Sequence, residues 1–334
     1  MKLDAFFPPE TKLSQIAHLA QGAETIGFDG IWLAETQHNP FLAATLALEH
    51  TNNIQVGTGI AVSFARSPAV MAHAAWDLAE FSRGRFILGL GTQIKAHIER
   101  RFGMSWPDSV VGKQREQIAA IRAFWHSWQT GARLNQRGDY YKITLSTPFF
   151  TPEKITTPKI PIFLAGVNPG LVRLAGECSD GFHVHPFHTP QYLKDITLPA
   201  IEVGAQKADR QRTDLEIVTN VFVVTSQKER ERVREQIAFY ASTPSYRRVL
   251  LHHGWGSVGE QLSGLAARQA WADMPALVDD TILETVAVVT EPNNLAQALL
   301  DRYGGLADRL TIYSPFISGE RDEFWRILRE GIFN

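Results

Sequence analysis

The sequence has little cysteine and almost no net charge, and each absence excludes a class of protein. Cys178 is the only cysteine among 334 residues, which excludes an intrachain disulfide framework and a zinc site built from several cysteines. Lysine and arginine number 33 against 35 acidic residues, so the net charge is −2. A surface that binds nucleic acid or anionic lipid needs a basic excess. We therefore expect neither nucleic acid nor membrane as a partner.

The sequence also lacks a long apolar run. No stretch of about 18 apolar residues is present, so no transmembrane helix is expected. An apolar segment, Leu3–Phe7, begins almost at once and is interrupted by Pro8 and Pro9, which is too short for a secretory signal. With 44% hydrophobic and 20% charged residues the chain has ample material for a core. We expect a soluble, cytoplasmic protein.

Short apolar strands and amphipathic helices alternate along the chain. Alternation of this kind is typical of a parallel sheet, and eight units in 334 residues favour a closed (β/α)₈ TIM barrel. A doubly wound open sheet is the alternative, but the first strand–helix turn has no G-x-G-x-x-G. The predicted strands are Leu3–Phe7, Ile31–Ala34, Ile54–Ala61, Arg85–Gln93, Ile162–Ala165, Gly181–Val184, Leu215–Val224 and Leu310–Ile312.

The helical periodicity is clearest over Thr11–Ile26 and Lys113–Gln129. We predict one domain over residues 1–334, with insertions at about 130–161 and 244–290. The first insertion carries a short hairpin that turns near Gly138, and the second is mostly helical.

In a barrel the chemistry is expected just after each strand. These positions are apolar and aromatic, with some imidazole and amide groups, which suits a planar organic cofactor and a small-molecule substrate. They include Phe7, Glu35, His38, Gly59, Ile60, Ala61, Gly91, Thr92, Gln93, Lys95, Gly166, Val167, Asn168, His183 and His185.

Two of these positions allow other interpretations. His183 and His185 lie two apart on one strand, a spacing used for divalent metals, but Asp180 precedes the strand and no other strand ends in aspartate. We therefore expect no metal, and a metal-dependent hydrolase is a remote alternative. The turn Gly166–Asn168 before Pro169 is either a phosphate-binding nest at a helix N-terminus or an ordinary turn.

Two titratable residues follow the second strand. His38 is a candidate to transfer a proton near neutral pH, or it only hydrogen-bonds the loop backbone. Glu35 is a weaker candidate for a catalytic base, because a glutamate at a strand end often forms a salt bridge with an arginine such as Arg66.

Several segments together resemble the luciferase-like monooxygenase superfamily. They follow one another in the order of that superfamily and extend over roughly residues 3–186. They are Ile26–Trp32 (IGFDGIW), Ile54–Ala61 (IQVGTGIA), Phe64–Ala69 (FARSPA), Ser82–Gly91 (SRGRFILGLG), Ile162–Gly166 (IFLAG) and Leu174–Gly181 (LAGECSDG).

The resemblance implies a (β/α)₈ barrel with an insertion after strand seven and a deazaflavin or flavin at the barrel mouth. It implies a non-prolyl cis peptide bond at Gly59–Ile60, beneath the ring. It places His38 near the reacting ring, Gly91 and Thr92 at the loop that meets the cofactor's side chain, and Gly166–Asn168 at its phosphate. A homodimer is also common in the superfamily.

The sequence is most similar to the branch that uses the deazaflavin F420. That branch implies hydride transfer between the deazaflavin ring and a small organic substrate, and the alternative is an FMN-dependent monooxygenase that uses oxygen. The chain departs from some F420 relatives in two places. Those relatives carry an acidic residue just after the glycine turn of strand four, where this chain has Gln93 to Lys95. The loop at His38 also lacks the pattern of the sugar-phosphate dehydrogenases. A barrel of this family with a blocked cleft and no cofactor is a third possibility.

Overall fold

Eight parallel strands form a closed barrel in the computed structural model, which describes residues 1–333. Each strand pairs with its neighbours along the chain, the last strand pairs with the first, and the third pairs directly with the fourth. The predicted (β/α)₈ barrel is confirmed. The strands are β1 Lys2–Phe6, β2 Gly30–Leu33, β3 Gln55–Thr58, β4 Phe86–Gly91, β5 Ile162–Ala165, β6 Gly181–Val184, β7 Glu216–Val221 and β8 Arg309–Ile312.

Helices surround the barrel and begin at ordinary sequence signals. Ser67, Ser109 and Asn168 each accept a backbone N–H from the first turn of the helix that follows, and proline opens two of these helices. The main helices are Leu13–Ile26, Pro40–Glu49, Pro68–Phe81, Lys95–Arg100, Val110–Thr130, Pro169–Cys178, Leu198–Lys207, Gln227–Ala241, Arg247–His252, Gly256–Ala267, Asp280–Val286, Leu295–Tyr303 and Asp322–Phe333. None of the helices in residues 1–333 has the length and apolar character needed to cross a membrane.

Two predicted strands are interrupted in the structure. The strand predicted over Ile54–Ala61 ends at Thr58, and a short strand, Ala61–Val62, resumes after Gly59 and Ile60 to pair with β4. The strand predicted to end at Val224 leaves the barrel after Val221, and Val223–Val224 pairs instead with Val288–Val289. The sequence pattern shows neither break, because the residues that follow each break are also apolar and buried.

The structure contains helical turns that the sequence pattern did not predict. The helix Lys95–Arg100 buries only Ile98, so it has no apolar periodicity to detect. The helix predicted over Leu193–Lys207 begins earlier, at Pro190–Tyr192, and passes through a π-helical turn, Leu193–Thr197. The first insertion forms the expected hairpin, with Gln136–Arg137 paired to Lys142–Ile143.

A buried ion pair lies where the barrel strands begin. Arg309 donates to both carboxylate oxygens of Asp4 at 2.8 Å, both side chains are 0% exposed, and Asp4 also accepts the indole N–H of Trp32. Above it, Trp32 packs with Ile87, Phe163 and Val218 inside the barrel. Residues at this end of a (β/α)₈ barrel contribute to stability. The opposite end is where a functional site is expected.

Residues after β7 build a second hydrophobic cluster beside the barrel. Helices from the 244–290 segment pack there against the helix Gln227–Ala241 and against Phe187 and Phe222. The segment is mostly helical, as expected, and it brings Ser245 and Tyr246 to the mouth of the barrel.

Candidate functional site

An open cleft with a volume of about 540 Å³ lies at the carboxyl ends of β3 to β7. Its lining is built mainly from the residues that follow the strands, which is where the chemistry of a barrel is expected. Of the strand-end positions named from the sequence, eleven line this cleft: Gly59, Ile60, Gly91, Thr92, Gln93, Lys95, Gly166, Val167, Asn168, His183 and His185.

The floor of the cleft is the bulge between β3 and the strand Ala61–Val62. The Gly59–Ile60 peptide bond is cis, as predicted. Glu35 N–H donates to Ile60 O at 3.2 Å, and Gly59 N–H donates to Leu33 O at 2.8 Å, so the end of β2 holds the bulge in position. A Cβ on Gly91 would lie 2.7 Å from Ile60 Cγ1. The close approach of Ile60 therefore requires glycine at position 91.

One wall of the cleft follows β4. Gln93 has a positive φ of 61°, and its side-chain oxygen accepts the N–H of Ile94 at 3.0 Å. Lys95 begins the next helix, and its Nζ lies 3.8 Å from Glu99 in an exposed pair. Among the described lining residues, Lys95 is the only cation and no side chain is a carboxylate. The cleft therefore has the electrostatic character that an anionic ligand prefers.

The adjacent part of the wall is the turn after β5, the strand that pairs with β4. Asn168 Oδ1 accepts the N–H of Leu171 at 2.8 Å and caps the helix Pro169–Cys178. A Cβ on Gly166 would lie 2.6 Å from Leu171 Cβ, so the turn packs closely on the helix that it precedes. The side-chain oxygen of Asn168 is thus used within the turn, and the turn offers a ligand the Asn168 amide group and the positive end of the helix.

His183 in β6 and His185 just after it reach the cleft as neutral side chains. Burial lowers the pKa of His183 to about 3 and the pKa of His185 to about 3. His183 packs edge-on against Trp32, with ring centroids 4.5 Å apart. Within residues 1–333 no third histidine, cysteine or carboxylate joins them in a group that could hold a metal ion. The geometry therefore gives the two histidines no metal-binding arrangement.

The other predicted site residues lie outside the lining of this cleft. Glu35 is held by Arg66, whose guanidinium donates to both carboxylate oxygens. Ala61 is fully buried beneath the floor. Phe7 and His38 line a separate, small pocket of about 30 Å³ at the ends of β1 and β2. Glu35 thus forms the salt bridge with Arg66 that was its alternative interpretation, and its role as a catalytic base stays a prediction.

Several lining residues were not predicted, and three of them, Trp106, Asn220 and Tyr246, carry polar or aromatic groups. Trp106 lies in the loop before the long helix Val110–Thr130, Asn220 is in β7, and Tyr246 comes from the 244–290 segment. Asn220 had a detectable signal, a polar residue near the end of an apolar strand, but the strand was predicted to continue past it. Trp106 and Tyr246 lie far along the chain from any strand end, so spacing gave no indication of them.

Comparison with known proteins identifies the family of this chain. A family model described as luciferase-like monooxygenase matches residues 1–309. The chain belongs to the luciferase-like monooxygenase family. An uncharacterized protein of Mycobacterium tuberculosis is 42% identical over 93% of this chain and 92% of its own.

Relatives with a named activity are more distant. A 5,10-methylenetetrahydromethanopterin reductase of Methanolobus tindarius is 28% identical, with 86% of each chain covered. An F420-dependent glucose-6-phosphate dehydrogenase of Nakamurella multipartita is 29% identical, with 69% of this chain and 68% of its own covered. The luciferase-like monooxygenase family thus includes enzymes that are named for F420.

Solved structures share the fold over nearly the whole chain. The coenzyme F420-dependent tetrahydromethanopterin reductase of Methanopyrus kandleri superposes with a TM-score of 0.80 at 20% identity, covering 99% of this chain and 98% of its own. A long-chain alkane monooxygenase superposes with a TM-score of 0.72 at 14% identity, covering 99% and 90%. The luciferase-like fold therefore supports oxidoreductases and monooxygenases, and this chain is an enzyme of that group.

Proposed function

We propose that this protein is an F420-dependent oxidoreductase that transfers a hydride between the deazaflavin ring and a small organic substrate. The observation that carries the proposal is the make-up of the cleft. An apolar floor at Ile60 lies in one space with a cationic wall at Lys95 and a helix N-terminus at Asn168. A planar ring would match the apolar floor, and an anionic side chain on that ring would match the cationic wall and the helix N-terminus.

The residues present fit such a cofactor. Glycine at position 91 lets the side chain of Ile60 pack directly on the end of β4, so a ring can lie against an apolar surface there. Thr92, Gln93 and Lys95 would face the cofactor's side chain, and Gly166, Val167 and Asn168 would receive its phosphate. His185 would contact the cofactor or the substrate beside it. Bound F420 would supply the hydride chemistry.

The protein's own part is orientation, exclusion of water and one proton step. His38 is the residue we propose for the proton, since it lies three residues beyond Glu35, whose backbone holds the floor of the cleft. His38 is partly buried and shares its pocket with Phe7 and Trp32. The relative named as an F420-dependent glucose-6-phosphate dehydrogenase supports this choice of cofactor.

The alternative is an FMN-dependent monooxygenase that uses reduced flavin and oxygen. It is supported by structural neighbours such as the oxygenating component of 3,6-diketocamphane monooxygenase, whose structure holds FMN and superposes with a TM-score of 0.69. Both cofactors have a tricyclic ring and a phosphorylated side chain, so the same cleft suits either.

Titration of the purified protein with F420 and with FMN, each followed by fluorescence, separates the two proposals. We expect F420 to bind in the micromolar range or tighter, and FMN to bind at least tenfold more weakly. The His38→Asn variant should keep the F420 affinity and lose turnover. Tight FMN binding without F420 binding would reject the first proposal in favour of the second.

A further inference from the structure

Two tyrosines border the barrel mouth on the side away from the floor of the cleft, and we call them the tyrosine pair. Tyr313 directly follows β8, and Tyr240 lies on the helix Gln227–Ala241 after β7. The floor and the turn proposed for the phosphate follow β3, β4 and β5. The strands close into a ring in chain order, so β8 lies across the mouth from β4. A substrate beside the proposed cofactor ring would therefore lie between the floor and the tyrosine pair.

Aromatic contacts connect the tyrosine pair to the lining of the cleft. The ring of Tyr313 stacks on Phe6 at the end of β1, with centroids 5.0 Å apart. The ring of Tyr240 packs edge-on against His185 at 4.9 Å and against Tyr246 at 6.1 Å, and both of these residues line the cleft. Tyr240 and Tyr313 are each only partly buried. The tyrosine pair thus continues the wall of the cleft toward β8 and β1.

One hydrogen bond joins the two hydroxyl groups of the tyrosine pair. Tyr240 Oη and Tyr313 Oη lie 2.5 Å apart. Two hydroxyls have two protons, and the bond between them uses only one. Among residues 1–333 neither oxygen has another hydrogen-bond partner. One of the two O–H groups is therefore available to a ligand.

The available O–H is that of Tyr313. Burial is the main cause that raises the pKa of both phenols, and the hydrogen bond between them lowers the pKa of Tyr313 and raises the pKa of Tyr240. A donated hydrogen bond stabilises the phenolate of the residue that accepts it, so Tyr240 donates and Tyr313 accepts. Because hydrogen bonds in a chain polarise one another, a hydroxyl that accepts one bond donates the next more strongly.

The hydroxyls on this side of the mouth are neutral donors. Burial raises the pKa of Tyr240, Tyr246 and Tyr313, and the charge effects on these phenols come only from one another. All three are therefore protonated at neutral pH. A neutral donor that is held in position stabilises negative charge that develops on an adjacent atom. The tyrosine pair thus suits a hydrogen bond to a reacting atom rather than a proton transfer.

We propose that Tyr313 O–H hydrogen-bonds the substrate atom that gains an electron pair during hydride transfer, and that Tyr240 is a positioning residue that orients and polarises this donor. The hydride bonds to one atom of an unsaturated group, and the electron pair of that group moves to the oxygen or nitrogen at its other end. No proton leaves Tyr313, so the proton that completes the reduction is the one proposed for His38. The proposal rests on the proposed function, in which the cofactor ring lies on the floor of the cleft.

The test uses pyridine N-oxides, whose oxygen is a strong hydrogen-bond acceptor with partial negative charge. The 4-methoxy, unsubstituted and 4-nitro compounds share one ring and have an oxygen of decreasing basicity. Isothermal titration calorimetry measures their binding with F420 present and absent. We expect the 4-methoxy compound to bind at least threefold more tightly than the 4-nitro compound, because a hydrogen bond strengthens with the charge on its acceptor. Equal affinities across the series in the native protein overturn the proposal.

Three variants assign the donor. Tyr313→Phe keeps the ring and removes the donor, so it should weaken the 4-methoxy compound about tenfold and abolish the dependence on the substituent. Tyr240→Phe should reduce that dependence without abolishing it, because Tyr240 acts through Tyr313. Tyr141→Phe is the matched control, since its hydroxyl donates to Gln117 outside the lining of the cleft, and it should leave the whole series unchanged. A dependence that survives in Tyr313→Phe and disappears in Tyr240→Phe overturns the assignment of the donor.

The two proposals fail separately. A substituent dependence that requires Tyr313, in a protein that does not bind F420, supports the donor and rejects the proposed cofactor. Tight F420 binding together with N-oxide affinities that depend on neither tyrosine leaves the proposed function standing and overturns the role of the tyrosine pair.

Discussion

The carboxylate of Glu35 accepts two hydrogen bonds from the guanidinium of Arg66, at 2.6 Å and 2.7 Å. One of its oxygens also accepts the N–H of Val62 at 2.7 Å. The Glu35 side chain is only 7% exposed. Both oxygens are thus committed to positioning the segment that follows the cis peptide, and the residue stabilises the floor of the cleft from below.

Replacing Glu35 with glutamine should lower the free energy of unfolding by about 3 kcal/mol, because it leaves Arg66 with an uncompensated charge in a largely buried place. Urea unfolding at pH 7 measures the loss. The matched control is Glu99→Gln, which breaks the exposed Lys95–Glu99 pair and should cost less than about 1 kcal/mol. A stable Glu35→Gln protein that binds cofactor normally but has lost all turnover would support Glu35 as a catalytic group.

Sequence reasoning predicted the barrel because its evidence is local and repeated. The strands are short apolar runs, most of them close to a glycine or proline, and β5 and β6 have the predicted limits. The strand ends that carry glycine, such as Gly91 and Gly166, also lie where they were expected. Alternation along the chain fixes the order of the strands, and the order fixes which ends meet at the mouth.

The parts that were missed depend on contacts between distant segments. Tyr246 reaches the cleft only because its segment packs on Phe187 and Phe222, which no spacing in the sequence encodes. Glu35 was weighed as a base or as a partner of Arg66, and only the distance between the two side chains decides. His38 follows a strand end but turns into a pocket of its own.

Gly91→Ala should impair cofactor binding more than folding. A Cβ at this position would lie 2.7 Å from Ile60 Cγ1 and push Ile60 into the space proposed for the ring. We expect the F420 dissociation constant to rise at least tenfold, read by fluorescence titration. Gly264→Ala is the control, because a Cβ there meets only the end of Arg268 at 3.8 Å and the position is within a helix. Equal affinity in the Gly91→Ala and native proteins would contradict the proposed position of the ring.

Lys95→Gln should weaken the binding of an anionic cofactor without changing stability. Lys95 is exposed and is the only cation that lines the described cleft. Removal of one charge near a phosphate should raise the dissociation constant about three- to tenfold at low salt, and the difference should shrink at 0.5 M salt because screening is then strong. Lys142→Gln, on the hairpin away from the cleft, is the control. An effect that does not depend on salt would mean that Lys95 acts through packing rather than charge.

Three buried histidines should make the folded state sensitive to mild acid. Burial lowers the pKa of His183 to about 3, that of His185 to about 3 and that of His188 to about 4. In the unfolded chain each titrates near pH 6.5. Below that pH the unfolded state binds protons that the folded state does not, so stability is fully present above pH 6.5 and falls as the pH drops toward 4.

Each such histidine contributes a slope of about 1.4 kcal/mol per pH unit in that range, so the three together give up to about 4 kcal/mol per unit. Urea unfolding at intervals between pH 7.5 and pH 4.5 measures the slope. His188→Asn should remove about a third of it, whatever its effect on absolute stability, because asparagine does not titrate. His126→Asn, on an exposed side chain, should leave the slope unchanged. A flat profile between pH 6.5 and pH 5 would mean that these imidazoles reach solvent in the folded state.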